Sequence, residues 1–373
     1  MIKLWGAKME VNIDHIIHNI TAIQQYVGPG VEIIPIIKDN GYGTKINDRL
    51  DIFAKTHTKM VAVAIVDEGV YLRERGYRGD IFVLNQPLEA EIPAIARYNL
   101  IVGIGAISFL HKLGQYPNHT FKIHMEIGTG MGRTGINPNR ALEYLQEAQK
   151  YPNIIIDGIY THFSSSDCDE EYTRAQINSF NRALAAVQDQ LPHLRYIHCC
   201  NSAGIINFPE AHFNAVRPGL LLYGYYPTEE LKSKITVKPA IKLKSKISFI
   251  KEVKEGISIG YGRSYITSRK TKVATVPLGY ADGIRRSLSN KGQVVINGEL
   301  APIIGTICMD CFMVDVTDLE QVQVEDDVFI WDNEKITVED IAALYGTINY
   351  EVISTISDRV IREYVSADDT ATT

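Results

Sequence analysis

The stretch Val31-Glu32-Ile33-Ile34-Pro35-Ile36-Ile37-Lys38 decides the fold. Its β-branched residues suit a buried strand, and it ends on a lysine. Pro35 cannot donate to a ladder, which puts the run near an edge or a bulge. Before it, Ile13, Ile16, Ile17, Ile20 and Ile23 recur at helical spacing and form one apolar face. After it, short apolar runs return at Val61–Ile65, Ile81–Leu84, Leu100–Val102, Phe121–Ile127, Ile154–Tyr160, Tyr196–Cys200 and Ala215–Val216. Helical stretches separate several of them. The clearest runs from Tyr172 to Leu191, with Ile177, Phe180, Leu184, Val187 and Leu191 on one side. Strands that alternate with helices form a parallel sheet, and eight such units suggest a closed (β/α)8 barrel in an α/β chain. A doubly wound open sheet is the other arrangement of the same parts.

Near Lys232 the rhythm changes to strand after strand. Asn297-Gly298 lies between Val294-Val295-Ile296 and Pro302-Ile303-Ile304, a hairpin signal. Phe312–Val316 and Val328–Trp331 read as further strands, and a short helix begins at Thr337 with Asp340 placed as in a capping box. The expected domains are therefore a barrel over 12–232 and a C-terminal, mostly-β domain over 233–373, the latter taking in the N-terminal segment 1–11 as well. Ala367–Thr373 reads as a polar tail.

Composition narrows the function. A 45% hydrophobic and 22% charged chain of 373 residues has the means to bury a large core. Its net charge of −6 argues against nucleic acid as a partner. Lys242, Lys244 and Lys246 alternate with Ile241 and Leu243, the pattern of a strand's solvated face. Five cysteines, an odd number, do not suggest a disulfide framework. Cys308 and Cys311 lack the second ligand pair of a zinc site, so no metal is expected. No run approaches the ~18 apolar residues of a membrane span, and Met1–Ile13 lacks the apolar core of a signal peptide. A cytoplasmic protein away from membranes is expected.

Catalytic groups of a barrel sit where strands end. The polar residues at those ends are Lys38, His162, Asn201, Ser202 and Arg217, with Arg133 just past the fifth strand in Gly128-Thr129-Gly130-Met131-Gly132-Arg133. That glycine-rich loop has neither the GxGxxG nor the GxxxxGK[ST] spacing of a nucleotide loop. Lys38 precedes Asp39-Asn40-Gly41-Tyr42-Gly43, whose glycines permit a sharp turn. A lysine in a partly dry barrel mouth has a lowered pKa and can form a Schiff base with an aldehyde. The aldehyde cofactor that fits is pyridoxal 5'-phosphate. Ser202 and the backbone of Gly219 and Leu220 would meet its phosphate.

With these residues the chain resembles the alanine racemases. The resemblance rests on Lys38-Asp39-Asn40-Gly41-Tyr42-Gly43, Thr129-Gly130-Met131-Gly132-Arg133, Thr161-His162-Phe163, Asn201-Ser202-Ala203, Arg217-Pro218-Gly219, Gly260-Tyr261-Gly262, Gly279-Tyr280-Ala281-Asp282-Gly283, Ile307-Cys308-Met309-Asp310 and Thr347-Ile348-Asn349-Tyr350-Glu351-Val352. It implies a pyridoxal phosphate enzyme that interconverts L- and D-alanine and supplies D-alanine for peptidoglycan. It implies a homodimer whose active sites are shared between subunits. Lys38 would hold the cofactor and act as one base, and Tyr261 from the other subunit as the opposing base. Arg217 would face the pyridine nitrogen, supported by His162. Tyr42, Ser202, Gly219 and Leu220 would hold the phosphate, with Asn201 beside them. Arg133 and the backbone of Met309 would take the substrate carboxylate. Tyr280, Asp310 and Arg286 would line the entry channel.

The chain departs from the family at three positions. Glu126 stands where many members carry a lysine, often carbamylated, and would be a negative partner for Arg133. Gly128 replaces the usual aspartate. Asp358, in Ile356-Ser357-Asp358-Arg359-Val360, stands where many members place a pocket-lining tyrosine, so it joins the substrate-binding candidates and is expected to relax preference toward small polar side chains. Serine racemisation is the alternative reading. A non-catalytic barrel that carries pyridoxal phosphate is a more distant one.

Overall fold

The structure is a computed structural model that describes residues 6–366. The expected tail Ala367–Thr373 and the first five residues of segment 1–11 lie outside the described residues. The chain divides into two compact units. One holds Ile16–Gly41 and Ile46–Lys238; the other holds the stretch through His15, Tyr42–Lys45 and the chain from Pro239 on.

The first unit is the barrel. Its strands are β1 (Glu32–Ile33), β2 (Met60–Val63), β3 (Asp80–Val83), β4 (Ile101–Ile104), β5 (Phe121–Glu126), β6 (Ile154–Tyr160), β7 (Tyr196–His198) and β8 (Ala215–Val216). They run in the order β1-β8-β7-β6-β5-β4-β3-β2, every pair parallel. A parallel bridge between Ile36 and Ala62 joins the two ends. An open sheet is thereby excluded. Strand β2 is continuously apolar because both its faces are covered: each of its residues is buried.

Pro35 lies at this closing seam rather than at an edge. Ile34 and Ile36 donate to Val216 and Pro218 on one side, and Ile37 donates to Ala62 on the other. Pro35 belongs to the alternate set that faces Ala62 and has no N–H to give, so pairing there is short. Among the helices, Ile13–Val27 buries Ile13, Ile16, Ile20 and Ile23. Glu170–Val187 is capped by Asp169, which accepts from the Tyr172 amide.

The second unit is a mostly-β body. Its nine-stranded sheet includes the antiparallel pair Gln293–Ile296 and Glu299–Ile304, which turns at Asn297 and Gly298 with φ of 50° and 79°. Lys8–Asn12 pairs antiparallel with Ile241–Lys246 and parallel with Ile361–Val365. Thr337 and Asp340 cap Val338–Tyr345 as the capping box requires.

The division falls after Lys238, not after Lys232. Asn19 fixes the linker from inside the barrel unit: its Nδ2 donates to Lys238 O (2.9 Å), and Lys238 N donates to its Oδ1 (2.7 Å). Tyr42–Lys45, four residues after the strand-end lysine, goes with the second unit, which the sequence reading did not foresee. No helix among the described residues is long and apolar enough to cross a membrane.

Candidate active site at the barrel mouth

Lys38 stands just past the closing seam and is half-buried. Burial, then the charge of Arg133, lowers its pKa from the ordinary lysine value, while Glu68 and Asp39 pull the other way. The neutral, nucleophilic amine gains population as a result. Directly after it the chain winds a left-handed turn. Asp39, Asn40 and Gly41 have left-handed helical φ/ψ, and Tyr42 keeps φ at 55°. Gly41 N donates to Ile37 O at 2.9 Å, and the Glu68 carboxylate accepts from Asp39 N.

Arg217 follows β8 and is 2% exposed. Its Nη1 donates to His198 Nδ1 (2.5 Å) and His198 O (3.0 Å). Its Nη2 donates to Thr161 O (2.8 Å), Cys199 O (3.0 Å) and His162 Nδ1 (3.2 Å). Among the described residues no acceptor meets its Nε–H. His162 follows β6. Burial, then the charges of Arg217, Arg133 and Lys38, holds its pKa well below the ordinary histidine value. It is a neutral imidazole whose Nδ1 accepts, so its proton lies on Nε2.

After β7, Ser202 Oγ accepts from the amides of Gly219 (3.0 Å) and Leu221 (3.4 Å). With both amides donating to its oxygen, the Ser202 hydroxyl keeps its own O–H as a donor. Asn201 is occupied otherwise. Its Oδ1 accepts from Gly204 N (2.9 Å) and Ser166 Oγ (2.8 Å), which caps Ser202–Asn207.

Arg133 stands exposed on the loop after β5. Gly128 and Gly135 close that loop: a Cβ on Gly135 would lie 2.6 Å from Gly128 N. Glu126 is buried and its Oε1 accepts from Thr134 Oγ1 (2.7 Å). Burial raises its pKa, against the hydrogen bond from Thr134 and the attraction of Arg133. No ion pair joins Glu126 to Arg133 among the described residues; the partner that the sequence suggested for Arg133 is held by Thr134 instead.

The remaining candidates belong to the second unit. Tyr42 is buried, its ring 6.2 Å from that of Tyr350. Tyr261 is 71% exposed, on a short turn between Gly260 (φ 73°) and Gly262 (φ 68°), and Thr306 Oγ1 donates to its carbonyl at 3.0 Å. Tyr261 lines a cavity of about 480 Å³ with Gly260, Cys308 and Cys311. Met309 O accepts from Ala281 N at 3.0 Å. A Cβ on Gly279 would lie 2.3 Å from that oxygen, so only glycine lets the two loops pass. Tyr280 and Arg286 are exposed, and Asp310 accepts from Arg359 at 2.8 Å. Asp358 is 78% exposed and pairs with Lys45 at 2.8 Å.

Sequence reasoning missed His124, His198 and Asp157, three polar residues buried inside the barrel. The signal was available, because a histidine or aspartate in the middle of an apolar strand run needs a buried partner.

An eight-stranded parallel barrel with a lysine, a histidine and a buried arginine just past its strand ends has the architecture of a barrel enzyme. Residues 11–227 match the family model "Alanine racemase, N-terminal domain" and 240–364 match "Alanine racemase, C-terminal domain". The chain is 39% identical to alanine racemase 1 of Clostridium acetobutylicum, over 95% of this chain and 94% of that one. It is 38% identical to the alanine racemase of Halothermothrix orenii, over 95% and 96%. Its fold is similar to the solved alanine racemase of Clostridium difficile 630, with TM-score 0.93 and 32% identity, over 97% of this chain and 96% of that one. A similar structure from Bartonella henselae has covalently bound pyridoxal phosphate, with TM-score 0.85 and 27% identity over 96% and 99%. The chain is an enzyme of the alanine racemase family.

Proposed function

We propose that the chain interconverts L- and D-alanine with pyridoxal phosphate held at Lys38, in a homodimer whose active sites take residues from both subunits. The observation that carries this reading is the pairing of a lysine of lowered pKa with a buried arginine at the same end of the barrel. The donor set fits the cofactor: an amine for an aldehyde, the Ser202 hydroxyl for a phosphate, and a guanidinium for a ring nitrogen. The covalently bound pyridoxal phosphate of the Bartonella henselae relative supports it. When bound, the cofactor supplies a conjugated ring that spreads the negative charge left on the amino acid's α-carbon.

The protein's own groups do the rest. Lys38 takes or returns the α-proton on one face, and its lowered pKa keeps a neutral amine available. Tyr261, supplied by the second subunit, serves the opposite face; racemisation requires two faces. Arg217 has both Nη groups committed to protein acceptors, which leaves Nε–H as its donor. A guanidinium keeps its own proton, so a ring nitrogen that accepts from it stays unprotonated. By withholding a proton there, Arg217 would disfavour side reactions such as transamination. His162 orients Arg217 without adding a charge. Tyr42, Ser202, Gly219 and Leu220 hold the phosphate, and Asn201 fixes Ser202 through its cap. Arg133 and the Met309 N–H take the substrate carboxylate. Supply of D-alanine for peptidoglycan, in the cytoplasm, is the setting we infer.

Three measurements test the reading. The purified protein should absorb visible light, and borohydride should fix the cofactor's mass on the Lys38 peptide. In deuterated water, alanine should exchange its α-proton faster than other amino acids. A Lys38→Ala protein that still fixes the cofactor elsewhere, or a protein that exchanges no amino acid, refutes it.

A further inference from the structure

Three buried polar residues inside the barrel connect Arg217 to the opposite end of the strands. His198 Nδ1 lies 2.5 Å from Arg217 Nη1. His198 Nε2 lies 2.9 Å from His124 Nδ1. His124 Nε2 lies 3.7 Å from Asp157 Oδ2. Asp157 accepts from Arg195 at both oxygens, 2.7 Å each, and Arg195 also reaches Asp80 at 2.9 Å. Arg217 follows the end of β8, whereas Arg195 precedes β7 and Asp80 opens β3. The series therefore runs from the mouth of the barrel to its far end.

The proton positions follow from donor chemistry. A guanidinium can only donate, so His198 Nδ1 must accept. A neutral His198 then carries its proton on Nε2 and donates to His124 Nδ1. His124 in turn carries its proton on Nε2, aimed at the Asp157 carboxylate. The 3.7 Å gap exceeds a hydrogen bond, so this last link is an attraction between an N–H dipole and a charge. Burial, then neighbouring charge, lowers the pKa of His198 well below the ordinary value, and burial lowers that of His124. Burial alone would raise the pKa of Asp157, but His124 and Arg195 outweigh it and hold the carboxyl at about 2.

The strands are shaped around this series. The β5–β6 register shifts between Ile123 and His124: Ile123 pairs with Ile156 and His124 with Gly158, so Asp157 is the bulged residue. A bulge re-aims a side chain. Gly158 makes room, since a Cβ there would lie 2.6 Å from the His124 ring. The His198 ring stacks on Tyr160 at 5.1 Å and 6°, and Phe82 packs on His124 at 4.4 Å. Neither imidazole is free to turn.

We propose that His198, His124 and Asp157 are positioning residues: a one-way chain of donors, anchored by Asp157 at the far end of the barrel, that fixes the orientation of Arg217. The consequence for catalysis rests on the reading of Arg217 given above; the tautomers do not.

The test uses the full-length protein with 15N-labelled histidine. Long-range proton–nitrogen correlation at neutral pH reports which nitrogen of each ring is protonated, and His124→Gln and His198→Gln assign the two signals. Both rings should be neutral with the proton on Nε2. A cationic ring, or a proton on Nδ1 of either, overturns the proposal even if the enzyme is active. Asp157→Asn should mix the His124 tautomers, shift the visible band of the bound cofactor and lower kcat about tenfold, with KM for alanine nearly unchanged. Arg195→Met, on the partly exposed far end, should do the same to a smaller extent, roughly twofold to fivefold. Folded variants with wild-type spectrum and kcat overturn the positioning role. If no cofactor binds but the tautomers are as stated, the chain of donors stands and the functional reading falls.

Discussion

At the residue scale, Lys38 carries an unfavourable charge that the fold imposes. Its folded pKa lies below the unfolded one, so the native state binds fewer protons between the two values. Below the folded pKa both states are charged and the full penalty applies; as pH rises toward the usual ~10.4 the penalty is removed. Lys38→Met should therefore stabilise the cofactor-free protein at neutral pH. The gain should shrink as pH rises toward the usual lysine value of ~10.4, as read from unfolding midpoints. A gain that grows with pH contradicts the depression. Asp358 is the residue that the sequence places among the substrate-binding candidates. Its carboxylate is drawn to Lys45 in an exposed pair, worth roughly 0–1 kcal/mol. We expect Asp358→Tyr to alter the serine-to-alanine ratio of specificity constants by less than about threefold. A fall beyond that restores the pocket-lining role.

At the scale of elements, the left-handed turn after Lys38 needs an external hold. Left-handed helical backbone costs L-residues about 1–2 kcal/mol each, and Asp39, Asn40 and Tyr42 lack glycine's freedom. Within the second unit, the chain that follows the turn is held by Arg362. Its Nε donates to Gly43 O (2.7 Å), Nη2 to Ile356 O (2.7 Å), and Nη1 to Ser357 O (2.6 Å) and Val360 O (2.7 Å). Tyr364 OH adds a hydrogen bond to Lys45 O at 2.7 Å. Arg362→Met leaves four carbonyls without this donor. We expect a loss of about 2–4 kcal/mol in the second unit, with faster amide exchange in 43–45 and 356–360. Unchanged exchange in 43–45 separates the staple from the turn.

At the scale of the whole molecule, the two proposed bases belong to different units. Lys38 lies in the barrel unit and Tyr261 in the β unit, where Tyr261 and Met309 are both exposed, 71% and 52%. Exposed aromatic and apolar groups at a site of this kind suit a face that a second subunit covers. Lys38→Ala and Tyr261→Phe subunits should each be inactive alone. After mixing and reassociation, half of the dimers are hybrids with one complete site each, so roughly a quarter of wild-type activity should return. No recovery, with hybrids verified by mass, rejects the shared site.

The sequence by itself determined the element types and which polar residues stand just past the strand ends. Period-2 and period-3.6 patterns and continuous apolar runs are local properties, so the eight barrel strands, the Asn297-Gly298 turn and the Thr337 cap were legible, as were Lys38, His162, Ser202 and Arg217. Only the tertiary structure decided the rest. Pro35 became the seam because β1 must meet β2 around a closed ring. Lys238 became the boundary because Asn19, 219 residues away, binds it. Tyr42–Lys45 joined the β unit because Arg362 and Tyr364 bind there, 319 residues on. His124 and His198 meet across 74 residues, and the bulge that aims Asp157 exists only once β5 and β6 are paired. Local spacing encodes which face a side chain takes. Which faces then meet depends on ring closure and strand register, and these arise from contacts between residues far apart in the chain.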